Sequence, residues 1–227
     1  MRLALQCLCF GLKMLANYAT IFIMEKSLNY CDNLPTELDR DYHDHEWGVP
    51  LYDDRKQFEF LMLEVMQCGL SWGLVLKRRS VFRSAFEEFD FEKIAGYGEV
   101  DIERIFAFPG MIRSRRKVVA VIENAKVFIQ IRQRFGSFSK YLWDFVGGKT
   151  ICYHGHEKGV VVVTNNLAKR IAADLRERGM KFIGPTTIYS HLQACGIIND
   201  HNRDCQAYQH IVKNYPVQFL PPDGDVV

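Results

Sequence analysis

Apolar residues recur at helical spacing along most of the chain, and the strict alternation of a half-buried strand is scarce. Phe58, Leu61, Met62, Val65 and Met66 form one stripe behind Asp53-Asp54, whose carboxylates suit a helix N-terminus. The same periodicity predicts one helix from Ser71 to Phe89, a short one from Val100 to Phe106, a long one from Arg115 to Phe135 and a short aromatic one from Ser137 to Val146. Thr164 or Asn165 is expected to cap a helix that runs through Arg178 and stops at Gly179, and another is expected from Pro185 to Cys195 with Gly196 as its stop. Only Gly159-Val160-Val161-Val162-Val163 has β-branched density, and it adjoins a glycine-flanked loop rather than a partner strand. The expected fold class is therefore all-α, or nearly so.

Composition narrows this further. With 227 residues, 48% of them hydrophobic and 25% charged, the chain can bury one substantial core, which excludes wholesale disorder. Its seven cysteines are odd in number and scattered, unlike a disulfide scaffold, and point to a reducing interior such as the cytosol or nucleoid. Leu3 to Ile23 is apolar enough to suggest a membrane segment, but Lys13 and Asn17 interrupt it and no small-residue cleavage site follows. Residues 1–23 are read as an N-terminal extension outside the domain, with Met24 as a natural start, no membrane partner, one domain over 24–210 and a tail over 211–227. A monomer is expected.

The net charge of +2 implies no polyanionic partner by itself, but its distribution is uneven. Basic clusters occur at Lys77-Arg78-Arg79, Arg113 to Lys117, Lys169-Arg170 and Arg176 to Lys181. A cluster of this kind is ordinarily a solvated helix face; several of them near glycine turns fit phosphate contacts better. Phe106-Ala107-Phe108-Pro109-Gly110-Met111-Ile112-Arg113 joins two predicted helices through a Pro-Gly turn followed by basic residues, which suits a helix-hairpin-helix aiming backbone N–H groups at a phosphate.

Two fragments carry metal-ligand chemistry. Cys31 with Tyr42-His43-Asp44-His45-Glu46-Trp47-Gly48, and Asn199-Asp200-His201-Asn202-Arg203-Asp204-Cys205, can supply two sulfurs and two imidazoles from opposite ends of the domain. Such a set closes a tetrahedral Zn²⁺ shell and leaves no position for water, so the site would fasten chain segments and do no chemistry. His201 and Cys205, four apart, would share one face of a helix. Cys152, His154 and His156 compete for the same role, in what reads as an exposed loop with incidental histidines.

Taken together, Tyr42 to Asp53, Leu63-Glu64, Gly69-Leu70-Ser71-Trp72 and Lys77-Arg78-Arg79 resemble the 3-methyladenine DNA glycosylase I family. The resemblance continues in order through Phe82-Arg83-x-Ala85-Phe86, Gly110-Met111-Ile112-Arg113-x-Arg115, Phe135-Gly136-Ser137-Phe138, Tyr141-Leu142-Trp143, Arg178 to Gly184 and Gln193-Ala194-Cys195-Gly196, covering roughly residues 30 to 208. It implies a helix-hairpin-helix DNA-repair domain with one structural zinc held by Cys31, His43, His201 and Cys205. It also implies a pocket for a flipped base built by Tyr42, Trp47, Trp72 and Glu64, with Glu64 as the catalytic residue and double-stranded DNA containing alkylated adenine as the partner. Leu70 would either wedge into the vacated stack or be a plain core leucine, while Gly110, Arg113 and Arg115 would meet the DNA backbone.

The implied reaction is hydrolysis of the N-glycosidic bond of 3-methyladenine to leave an abasic site, as in base excision repair. An N3-alkylated adenine is cationic and leaves readily, so extraction and selective binding carry much of the catalysis. Glu64 either orients the attacking water or only reads the base. The chain departs from the family pattern at Asp39 and Asn33, where aromatics are usual, and its Cys31 to Arg40 segment is one residue tighter. Asp39 is expected at the pocket rim, in water. Two rival classes are a non-catalytic zinc-stabilised DNA-binding module, which would need no acid in an aromatic pocket, and a zinc hydrolase, which would need an open metal position.

Overall fold

The computed structural model describes Cys31 and residues 34–158, 161–222 and 224–225; the 1–23 extension and Asn33 lie outside these. The described residues are mostly helical. α1 (Glu37–His45) starts at Thr36, whose hydroxyl accepts from the Asp39 N–H while the Asp39 carboxylate accepts from the Thr36 N–H. This reciprocal cap corrects the expectation for Asp39. Its side chain is buried beneath the helix start instead of lying in water at a pocket rim.

α2 (Asp54–Gln67) follows the predicted stripe, and Asp53 caps it by accepting from the Lys56 N–H. The stripe undersells its burial, because residues 57–66 are buried all the way round. α2 is a central helix with neighbours on several sides, not an amphipathic surface helix. Its first carboxylate, Asp54, accepts from the backbone N–H groups of Phe138 and Ser139 and from Arg132, which ties α2 to the start of another helix.

The single helix expected from Ser71 to Phe89 is three pieces: α3 (Trp72–Lys77), α4 (Arg79–Ala85) and a 3₁₀ turn at Glu87–Phe89. Glu87, Glu88 and Phe89 all have φ between 49° and 56°. Burial of Phe89 against Phe58 and Phe86 offsets that strain. The break at Arg78 turns Arg79 inward, where its guanidinium binds Glu46 at 2.6 and 2.8 Å and Glu59 at 2.7 Å, and Arg83 adds two bonds to Glu59. Burial alone would raise the Glu59 carboxyl, but the hydrogen bonds from Arg83 and Arg79 hold it below its ordinary value. Arg79 therefore pins the end of α1 to α2. It leaves the basic cluster as a structural residue, not a phosphate contact.

α5 (Phe91–Ala95) and α6 (Glu99–Phe106) lead to α7 (Arg115–Phe135), which matches its predicted bounds and spans about 30 Å at 1.5 Å per residue. Phe58, Phe91 and Phe138 all pack on Phe128 of α7, at ring separations of 5.1, 4.9 and 4.2 Å. Such aromatic contacts add about 0.5–1.5 kcal/mol each beyond area burial. α8 (Phe138–Asp144), α9 (Asn166–Glu177) and α10 (Pro185–Ala194) follow, α9 capped by Asn165.

The departures from all-α are small but consequential. β1 (Thr150–Tyr153) pairs in parallel with β2 (Val217–Leu220), and Ile151 bridges to Ile198. The described part of the valine run forms no strand: residues 161–165 are irregular. Residues 211–227, expected as a tail, bury Ile211 on α11 (Gln206–Asn214) and supply β2.

Loss of the Arg79 guanidinium removes the partner of Glu46 and one of the two guanidinium groups on buried Glu59, which keeps its bonds to Arg83. Arg79→Ala should lower the unfolding free energy by about 1.5–3 kcal/mol in denaturant titrations, whereas Arg83→Ala, whose side chain is 40% exposed, should cost about 1 kcal/mol or less. Equal small losses would show that the pair behaves as a surface bridge.

Candidate active site and metal centre

Two glycines bring the ends of the domain together. Gly196 has φ +73°, and a Cβ there would fall 2.4–2.6 Å from the backbone of Gly48, Val49 and Pro50. Gly48 has φ +78°, and a Cβ there would meet the His201 ring at 2.6 Å. The close approach is held by bonds from the Gly48 and Leu51 N–H groups to the carbonyls of Ala194 and Cys195. From the other side, Ile151 and Asn199 exchange backbone bonds with residues around them, so β1 holds the strand-like stretch that ends at Asp200 and His201.

Here Cys31, His43, His201 and Cys205 converge, with one ligand atom from each lying within 4.8 Å of the others. The S–N separations are 3.3 and 3.5 Å from Cys31 and 3.7 and 3.8 Å from Cys205. Tetrahedral Zn²⁺ with ordinary Zn–S and Zn–N bonds requires S–N edges of about 3.5–3.6 Å, so the cage has the right size. The histidines are also oriented for it. His43 Nδ1 lies 2.7 Å from the Asp44 carboxylate and His201 Nε2 lies 3.0 Å from the Trp47 carbonyl, so each ring donates outward and turns its other nitrogen to the cluster. The Asn202 N–H points at the Cys31 sulfur at 3.3 Å, a contact that favours thiolate.

His201 and Cys205 do not share a helix face as expected. They flank a turn, and Cys205 is the N-cap residue of α11, where the helix dipole also favours thiolate. The competing Cys152, His154 and His156 set is dispersed along and beyond β1. Cys152 is buried, His154 is exposed and stacks on Phe219 at 5.9 Å, and His156 is buried with Nδ1 2.9 Å from Asp200, so this stretch is not simply an exposed loop.

A cavity of about 260 Å³ adjoins the cluster. It has room for one small heterocycle, being roughly nine water volumes. Tyr42, Trp47, Trp72 and Glu64, the four residues the resemblance groups together, all line it. Trp47 packs edge-on to His201 at 4.4 Å and lies against His43 at 5.8 Å, so the Cys/His cluster backs the aromatic wall directly. Tyr42 and Trp72 meet at 5.2 Å.

Glu64 is 5% exposed, and its carboxyl has no hydrogen-bond or ion-pair partner among the described residues. Burial pushes its pKa up to about 8. It can therefore present either an acceptor-only carboxylate or a neutral acid near neutral pH.

The remaining lining was not foreseen. Val161, Val162 and Val163 edge the cavity, and α10 contributes Thr186, Tyr189, Ser190 and Gln193. These four stand at i, i+3, i+4 and i+7, a polar stripe on one helix face that was legible in the sequence. Asp200 lines it too, 3% exposed, with Tyr189 donating to it at 2.5 Å and Gln193 at 2.8 Å.

The residues expected at DNA lie apart from the cavity. Leu70 is half-buried on the turn after α2, which is held by the buried ammonium of Lys117 donating at 2.7 Å to the carbonyls of both Met66 and Cys68. Gly110 has φ +81° in the turn between α6 and α7, and Arg78 donates to its carbonyl. Arg115 is paired with Glu99 and Glu103, whereas Arg113 is exposed with no ion pair among the described residues.

The methyladenine glycosylase family model matches residues 31–209, and the chain belongs to that family. It is 40% identical over 167 residues to DNA-3-methyladenine glycosylase 1 of Escherichia coli, covering 74% of this chain and 89% of that protein. The DNA-3-methyladenine glycosylase of Haemophilus influenzae is 40% identical over 165 residues, covering 73% and 89%. A solved structure of 3-methyladenine DNA glycosylase I from Staphylococcus aureus, concerned with 3-methyladenine recognition, superposes with a TM-score of 0.75 at 35% identity, covering 80% of this chain and 97% of that one.

The geometry of the cluster makes two outcomes definite. Cys205→Ser should lose bound metal and lower the melting temperature together, and Gly48→Ala should lower metal content although it alters no ligand, because the new methyl displaces His201. Metal analysis finding full occupancy in both variants would remove the cluster from consideration.

The carboxyl of Glu64 binds a proton more tightly folded (about 8) than unfolded (ordinary value 4.5), so its contribution to stability declines as pH rises through that window. Glu64→Gln, which cannot ionise, should match wild type near pH 5 and exceed it by a few kcal/mol at pH 8 and above. Parallel stability curves for the two proteins would contradict a desolvated Glu64.

Proposed function

We propose that the protein is a monofunctional DNA glycosylase that hydrolyses the N-glycosidic bond of 3-methyladenine in double-stranded DNA, leaving an abasic site for base excision repair. The observation that carries this reading is Glu64, a buried carboxyl without a partner among the described residues, lining an aromatic cavity of nucleobase size in a chain of this family. A cationic N3-methylated adenine, swung out of the duplex, is attracted by the electron-rich faces of Tyr42, Trp47 and Trp72. Desolvation in the cavity strengthens the same attraction for an ionised Glu64, which accepts from the base or orients the water that attacks C1′. None of the described lining residues is a lysine, so the reaction ends at hydrolysis, without a Schiff base or strand cleavage.

The cofactor in this reading is one structural Zn²⁺ held by Cys31, His43, His201 and Cys205. It supplies no chemistry, because four protein donors fill its shell, and it fixes Trp47 in the wall. The α6–turn–α7 unit is read as a helix-hairpin-helix, with Gly110 offering backbone to a phosphate and Arg113 meeting another. Arg115 joins them by exchanging Glu99 and Glu103 for phosphate. Leu70 fills the gap left by the extruded base. The domain, which α11 and β2 extend to Leu220, works as a cytoplasmic, nucleoid-associated monomer; among the described residues no helix is long and apolar enough to cross a membrane.

Free 3-methyladenine should appear when the purified protein is incubated with methylated duplex DNA, and Glu64→Gln should slow its release by about 100-fold or more under single-turnover conditions while duplex affinity is unchanged. Binding without release by the wild-type protein would leave a non-catalytic DNA-binding module as the reading.

A further inference from the structure

Two carboxylates line the cavity, and they are in opposite states of engagement. Glu64 has no partner among the described residues, whereas Asp200 is tied by His156 Nδ1 at 2.9 Å on Oδ1 and by the Tyr189 hydroxyl and Gln193 Nε2, at 2.5 and 2.8 Å, on Oδ2. This fixes the Gln193 amide by chemistry as well as by geometry, since the flipped amide would set its carbonyl oxygen against a carboxylate. Gln193 Oε1 is left as the outward atom, with no hydrogen bond among the described residues, on a side chain that lines the cavity.

Building on the glycosylase reading, we propose that Gln193 is a specificity-determining residue: its Oε1 faces the flipped base as an obligate acceptor, taking an exocyclic N–H of adenine and opposing guanine. Asp200 is the positioning residue behind it. The six position of adenine carries an amine donor and that of guanine a carbonyl acceptor. Glu64 cannot tell them apart alone, because a carboxylate accepts from an amine while a neutral carboxyl donates to a carbonyl. Gln193 Oε1 has no such latitude, because an amide held by one N–H on Asp200 cannot flip to put a donor in that place. A guanine O6 brought against Oε1 leaves two acceptors facing each other in a desolvated site, the arrangement that polar pockets reject most strongly.

Duplex DNA methylated to carry both 3-methyladenine and 3-methylguanine tests this, with the released bases resolved by chromatography under single-turnover conditions. Wild type should release 3-methyladenine in strong preference. In Gln193→Met, which keeps length and removes the acceptor, the ratio of the two rates should fall by about tenfold or more, through slower release of 3-methyladenine together with faster release of 3-methylguanine. Asp200→Asn should shift the ratio further toward 3-methylguanine, since an asparagine amide can donate to Gln193 Oε1 and turn the Gln193 amine toward the base. Tryptophan fluorescence titrations with the free bases give a readout without chemistry, in which Gln193→Met should weaken 3-methyladenine selectively. Melting curves and metal content establish that each variant is folded, and Gln193→Met suffices if Asp200→Asn is not. An unchanged ratio in folded Gln193→Met overturns the proposal, and failure of the wild-type protein to release either base removes the glycosylase reading and the proposal with it.

Discussion

The structure depends on one close approach, the backbone of Gly48 to Pro50 lying against Gly196. No side chain fits there, and from it the two ends of the domain acquire a common register. Tyr42, His43 and Trp47 arrive from one end; Asp200, His201 and Cys205 arrive from the other. Once they meet, the cage of two sulfurs and two imidazoles and the aromatic cavity are two faces of the same junction, because His201 contacts Trp47 through both its ring and its Nε2. A disturbance at the cage is therefore transmitted to the cavity wall without any intervening layer.

Burial of polar groups around this junction follows a division of labour. Asp200, Asp54 and Glu59 each receive several donors, so their desolvation is compensated and they organise structure. Glu64 receives none from the described residues and carries the full desolvation cost, which raises its pKa to about 8. Its helix is secured elsewhere, by Asp54 at one end and Lys117 at the other, so the strain is confined to one side chain. That is the expected signature of a group whose partner is a ligand.

Much of this was legible in the sequence. The helical periodicity located α2, α7, α9 and α10 within a few residues, because each buries a face and ends at a recognisable cap or glycine. The ordered motifs identified Glu64, Trp72 and the four cage residues. What escaped was tertiary in origin. The segmentation of 71–89 depends on Arg79 reaching Glu46 and Glu59 across the fold, which no local pattern reports. The β1–β2 pair joins segments some 67 positions apart by register (Thr150 with Val217), and Thr150 to Tyr153 has no alternation because it is buried throughout. Asp39 misled because it sits where an aromatic is usual, yet it also stands three residues after Thr36, the spacing of a capping box. The cap was the stronger argument.

Charge offers the last lesson, since arginine clusters in sequence separate into different roles in space. Arg79 holds α1 to α2, Arg78 holds the Gly110 turn, and Arg178 holds Asp174 on α9 while lying 5.2 Å from the Phe135 ring, so each has already committed its cation to the fold. Arg113, Arg116 and Lys181 are exposed, and Arg116 lies over Phe182 on the side of α7 that carries Lys181 in its adjoining groove. A buried, bidentate arginine cannot also neutralise a phosphate without leaving its carboxylate stranded, which costs several kcal/mol. Near the α6–α7 turn, Arg113, Arg116 and Lys181 are described cations that no carboxylate neutralises, and a net charge of +2 is compatible with a positive face of that limited extent.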